Sequence, residues 1–276
     1  MSGWLARLLR TRQGVVGLLF LAPVALAVVL GLWLAPHDPN AISFTARFSP
    51  PSLRFWFGTD EFGRDLLSRI LVGARESVGT ALAATVFGTL SGAALGTFSA
   101  YLGGRADEAI MRTIDAVMAI PALLLALLVL STLGKGAEDV ILAIAVAFAP
   151  GMARITRSVA LTARSQDYVS AAIARGEGGG WIVFREMGPN VMAPVVVEST
   201  IRVAFAVMLV ATLSFLGLGA QPPAPEWGLM IAEGRQYLHQ APWMIVAPGA
   251  AIALTAIGFN LLGDGLRDAL NPRVGR

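Results

Sequence analysis

Very little of this 276-residue sequence could carry reaction chemistry. It has no cysteine, which excludes disulfides, thiolate metal sites and thiol nucleophiles. Its one lysine, Lys135, is followed by Gly136 where a phosphate-cradling P-loop needs Ser or Thr. His37 and His239 stand apart and form no HExxH pattern. Asp60, Glu61 and Asp65 offer carboxylate oxygens, but Arg64 lies among them and their spacing is not that of a calcium loop. No metal site and no catalytic residue are expected. Glu198 and Arg202 differ from these: they lie four residues apart, on one helical face, inside an apolar stretch. On insertion scales each charge costs about 2.5–3.5 kcal/mol at a helix centre, against a gain of roughly 0.3–0.6 kcal/mol per Leu, Ile, Phe or Val. The pair must therefore face protein or a water-filled cavity rather than lipid. Two roles stay open for it, a self-satisfied ion pair within a bundle or part of the lining of a translocation path.

The elements around that pair are membrane spans. Hydrophobic residues make up 55% of the chain and charged residues 14%, where a soluble domain carries about 25% charged. Mean hydropathy is +0.67. Charge-free runs cover residues 13–37, 77–104, 116–134, 203–225 and 236–263, each reaching the ~18 residues that mark a spanning helix. The pattern predicts an all-α membrane protein with six transmembrane helices: 15–35, 78–102, 110–132 with a kink at Pro121, one from 140 onward, 191–217 and 243–263. The fourth must continue past Arg154 and Arg157, whose long stems can snorkel. Residues 1–14 read as an interfacial N-terminal helix, with Trp4, Leu5, Leu8 and Leu9 on one stripe. Residues 15–76 hold the first span and an outer loop, in which 60–76 resembles an amphipathic helix. Residues 77–264 form the transmembrane core and 265–276 a cytoplasmic tail. With the N-terminus inside, thirteen basic residues fall on the inner side and seven on the outer, which favours both ends in the cytoplasm. A net charge of +3 with no dense basic run gives no footprint for nucleic acid.

Residues 160–190 form the longest cytoplasmic connection on this topology. Tyr168-Val169-Ser170-Ala171-Ala172 precedes Gly176 and a glycine-rich turn, and Pro189-Asn190 leads into the fifth span. A short Ala-rich helix, a reversal and a second short segment would make a compact knob that another protein can approach closely. On the residues alone, a plain connecting loop serves as well.

This segment resembles the EAA loop of ABC-transporter permeases, the element that docks on the ATPase subunit. Ala171, Ala172, Gly176 and Pro189 stand at the family's positions, with Ser170 in place of the usual Glu and Gly188 in place of a usual Leu. The run Gly58-Thr59-Asp60-Glu61-Phe62-Gly63-Arg64-Asp65 with Ser68-Arg69 resembles a signature of the dipeptide/oligopeptide/nickel permeases, in the smaller, DppC/OppC-like membrane subunit. Leu213 to Gly219 followed by Gln221-Pro222-Pro223, and the ending from Asn260 to Asp268, resemble two further stretches of that subunit. The resemblance implies a type I ABC importer permease (MetI-like) fold in a bacterial cytoplasmic membrane. It implies a coupling surface made by Tyr168, Ser170, Ala171, Ala172, Gly176, Arg185 and Pro189. It also implies a homologous second permease subunit, two ABC ATPase subunits that hold ATP and Mg, and an extracytoplasmic substrate-binding protein. This chain would hold no cofactor itself. A free-standing ion-coupled transporter is the main rival, with Glu198 as its coupling acid. A membrane-embedded hydrolase lacks a nucleophile and base within the spans.

Overall fold

The computed structural model describes residues 2–270, and no strand forms among them. Helix α1 (Ser2–Leu8) turns into α2 (Arg12–Leu34) at Thr11, whose hydroxyl oxygen accepts from the Gly14 amide at 3.1 Å. Leu8 is buried with Val197, Leu266 and Ala269, and Trp4 packs against the same cluster. Leu5 and Leu9 remain exposed, so the expected single stripe divides between protein and surroundings.

Helix α3 (Leu66–Leu102) is one 37-residue rod. The amphipathic helix expected over 60–76 and the span expected over 78–102 are fused in it. Residues 60–65 stay outside because Gly63 takes a φ of 73° and the Asp65 carboxylate caps the helix, accepting from Ser68 N at 3.1 Å. Helices α4 (Gly104–Met118) and α5 (Ala122–Leu133) meet at 90°. The expected kink at Pro121 is thus a full break, since proline has no N–H to offer and disfavours helical backbone in the preceding residue.

Helix α6 (Ala137–Arg164) carries Arg154 and Arg157. Their stems carry the guanidinium groups out to the polar face of α4, where Arg154 is 53% exposed and Arg157 30%. Arg154 pairs with Asp115, and Arg157 donates to both Asp107 oxygens at 2.6 and 2.5 Å, so the polar face of α4 neutralises them. Helix α7 (Asp167–Ala174) and the single turn α8 (Gly179–Trp181) follow. A π-helical turn (Ile182–Met187) then joins α8 to α9 (Gly188–Phe215), making a second 37-residue rod. Helix α10 (Trp227–Gly234) is short, and α11 (Trp243–Leu270) closes the described chain. It runs past position 265, where the tail was expected; residues 271–276 lie outside the described residues.

Five of these helical stretches are long and apolar enough to span a bilayer, and the bent pair α4–α5 brings the number to six. In lipid there is little hydrophobic drive between helices, so close backbone approach through small residues holds them together. Gly88, Gly92 and Gly96 of α3 lie against Ala145, Ala149 and Ala153 of α6. Gly17 of α2 faces the backbone of Leu262 in α11 in the same way. The central core joins α3, α6 and α9 through Ala84, Ile144, Phe148, Val207 and Val210. Leu19, Val29, Phe87, Leu90 and Val246 point outward, as lipid-facing or partner-facing side chains do.

Candidate coupling surface and translocation face

The 160–190 segment is a packed knob. Helix α7 ends in a Schellman turn: Glu177 N donates to Ala172 O at 3.2 Å and Gly176 N to Ile173 O at 2.9 Å. Gly176 sits at a φ of 78°, which only glycine adopts without strain, and that explains this glycine. Val169 and Ala172 are fully buried against Ala100 of α3, Ala160 of α6 and Ile182, Met187 and Val191 of the second rod. The knob therefore touches the ends of three long helices at once. The seven residues expected to share one surface divide accordingly. Tyr168, Ser170, Ala171 and Gly176 face outward, whereas Ala172 is an internal anchor. Arg185 lies over the Trp181 ring at 5.0 Å, and Pro189 is the second residue of α9. Ile173, Trp181 and Phe184 add exposed apolar area that the sequence pattern did not single out.

Glu198 and Arg202 lie mid-way along α9, Nη2 to Oε1 at 3.0 Å. The guanidinium sits over the Phe148 ring at 5.6 Å and against Gly151 of α6, where a Cβ would come within 2.9 Å of it. The pair is not sealed. It opens into a recess of about 350 Å³ whose walls include Ala122, Leu123, Phe205 and Thr212.

On the opposite side of the spans, the 58–65 loop is an ion-pair clamp. Asp60 accepts from Arg64 Nε at 2.6 Å and from two backbone amides at 2.9 Å. Glu233 of α10 lies 3.4 Å from Arg64 and 3.5 Å from Arg69, and Arg69 is 1% exposed. The Asp60 carboxylate is thereby committed to arginine, and among the described residues no cluster of acids and histidines suited to a metal forms. Burial raises the Glu61 carboxyl above its usual range, and the nearby Asp60 and Glu233 add to this. Burial likewise raises Glu233, against the pull of Arg69 and Arg64. Next to the clamp, Trp227 Nε1 donates to Ile70 O at 3.0 Å, and Glu226 accepts from Ser77 Oγ at 3.1 Å, locking α10 to α3. Gly228 then lies against the Ala211 backbone of α9. Sequence spacing brought out Asp60 and Arg64. It gave no sign of Glu233, which lies 169 positions from Arg64.

A family model described as "Binding-protein-dependent transport system inner membrane component" matches residues 92–276. The N-terminal TM domain of oligopeptide transport permease C matches residues 2–51. The chain is 44% identical over 250 residues to the probable D,D-dipeptide transport system permease protein DdpC of Escherichia coli, covering 91% of this chain and 84% of that one. It is 40% identical to the di/tripeptide transport system permease protein DppC of Pseudomonas aeruginosa (94% and 87% covered). It is 41% identical to the glutathione transport system permease protein GsiD of Escherichia coli (97% and 89% covered). Matched over most of its length, with the knob and the second rod inside the family match, the chain belongs to the binding-protein-dependent transport permeases and is a multi-pass membrane subunit of that family.

Proposed function

We propose that this chain is the smaller permease subunit of an ATP-driven importer of short peptides in a bacterial cytoplasmic membrane. Its relatives are described as permeases for dipeptides, di/tripeptides and glutathione, all short peptides, which supports that substrate class. In this reading a homologous permease completes the pathway, and a substrate-binding protein delivers peptide from outside. Two ATPase subunits bind ATP and Mg and hydrolyse the nucleotide. The chain itself catalyses no reaction.

The single observation that carries the coupling role is the burial of Val169 and Ala172 against α3, α6 and the α8–α9 rod. A partner that pulls on Tyr168, Ser170 and Ala171 must move those helices, because close-packed interiors transmit displacement rather than absorb it. The ion-coupled alternative has less support, since Glu198 is paired with Arg202 instead of standing as an isolated intramembrane acid.

The test is gentle purification of the tagged chain from its native membrane, followed by mass spectrometry and vesicle uptake. Co-purification of a homologous permease and P-loop ATPases, with peptide uptake that needs ATP, is the expected result. Recovery of the chain alone, driving uptake from an ion gradient without ATP, refutes it.

A further inference from the structure

The exposed face of α9 carries a continuous polar-to-apolar track. The recess at Glu198 and Arg202 shares Met208 and Thr212 with a second hollow of about 320 Å³, whose walls reach Phe215, Gly228 and Ile231. Arg235 lies over the Phe215 ring at 5.4 Å, at the far end. Thirteen residues of helix separate Arg202 from Phe215, roughly 20 Å at 1.5 Å per residue. The track thus runs from a cation at the outer surface, over apolar walls, to a second cation beside an acid at mid-membrane.

The inner pair is unlike a charge pair that only neutralises itself. Such a pair is closed and has its donors and acceptors satisfied by neighbours. Here Glu198 is the one carboxylate within ion-pair distance of Arg202 among the described residues, and it engages the guanidinium through a single Nη2–Oε1 contact, leaving further donors of the group untaken by it. The two side chains keep 26% and 18% exposure, toward the recess. An arginine edge presents forked donors suited to a carboxylate, and an adjacent glutamate suits an ammonium. That arrangement is complementary to a molecule bearing both charges at once.

We propose that Glu198 and Arg202 form a mid-membrane station for the free termini of a translocating short peptide, its carboxylate on Arg202 and its ammonium on Glu198. The proposal rests on the peptide-importer reading above and deepens it.

The complex, purified with its partner permease and ATPases, is placed in vesicles with ATP, its binding protein and a mixture of free-ended dipeptides, and uptake is read by mass spectrometry. Arg202→Gln and Glu198→Gln should each lower uptake at least tenfold in complexes that still co-purify. Wild-type uptake in either single variant overturns the proposal. Because the chain has no cysteine, Thr212→Cys gives an independent measurement that leaves the pair intact. A water-soluble thiol reagent should modify it in the ATP-cycling complex, and excess dipeptide should slow that reaction several-fold. Reaction only with a lipid-soluble reagent overturns the proposal even where the charge variants fail to assemble. If the wild-type complex takes up no dipeptide at all, the peptide-importer reading itself fails, a result distinct from unaffected variants.

Discussion

Gly92→Ala tests whether backbone contact between α3 and α6 holds this bundle together. A Cβ on Gly92 would fall inside van der Waals distance of the Ala149 carbonyl oxygen and lie 2.7 Å from the Met152 Cβ and 3.1 Å from the Ala149 Cα. These neighbours are backbone, or a Cβ fixed to it, so no side chain can swing aside. The rods must part by roughly 1 Å, and a gap of that size forfeits a quarter to a half of each contact's well depth. Overpacking of this kind costs about 1–3 kcal/mol, against the 0.5–1 kcal/mol that alanine gains over glycine within a helix. The balance is a net loss of up to about 2.5 kcal/mol, and a difference of about 1–3 kcal/mol from a site where alanine meets nothing. Gly79 of the same helix is the control, since a Cβ there meets nothing within 4 Å. Gly79→Ala should therefore gain the helix term alone. The assay is the thermal midpoint of the purified complex, read by the fraction that stays monodisperse after heating. A Gly92→Ala midpoint equal to or above that of Gly79→Ala would refute the argument that this interface is set by backbone contact.

Three further outcomes are expected. Arg69→Met should destabilise by up to about 3 kcal/mol, because it leaves Arg64 alone to offset Asp60, Glu61 and Glu233, and adding Glu233→Leu should recover part of the loss on the same midpoint assay. Glu61→Gln carries a pH signature. Burial holds the folded-state pKa of Glu61 above its ordinary 4.5, so the folded form favours the protonated acid. That stability is full below the unfolded pKa and is lost as pH rises through the folded pKa. The midpoint of Glu61→Gln should therefore gain on wild type as pH rises above 4.5, and a falling difference would show a carboxylate stabilised as the anion. Gly176→Ala forces a side chain into left-handed backbone at a cost of about 1–2 kcal/mol. It should lower binding-protein-stimulated ATP hydrolysis while the assembled complex is still recovered; unchanged coupling would mean that the Schellman turn does not set the knob's shape.

Where the spans run was legible because a charge-free stretch of bilayer length has few alternatives in lipid. Gly176 was legible for a related reason, since a glycine closing a short Ala-rich run records a turn, whereas Ala172, read as part of the docking surface, is buried inside the knob. What sequence could not supply was the pairing of charges across distance. Arg154 and Arg157 read as snorkelling residues because their partners, Asp115 and Asp107, sit on another helix that a break at Pro121 swings toward them. Local periodicity contains no information about that swing. Arg64 and Arg69 likewise read as loop charges until Glu233 arrives from the far end of the chain.

These long-range pairs give the coupling argument its second half. A rod of 37 residues is roughly 55 Å long, more than the ~40–45 Å of a bilayer with its headgroups. α3 thus reaches from Ala100 in the knob to Arg69 in the outer clamp as a single rigid body. The second rod runs from the knob to Ala211, where Gly228 of α10 rests on it. Helix α10 is tied to both, by Trp227 and Glu226 to α3 and by Gly228 to α9. Any relative sliding of the two rods at the knob must therefore shear α10 at the outer face, beside the hollow that opens toward Phe215. Wedging α10 off α9 at Gly228 and straining the knob's turn at Gly176 are predicted to act on the same motion from opposite sides of the membrane, so combined variants at Gly176 and Gly228 should depart from additivity although the residues lie on opposite faces.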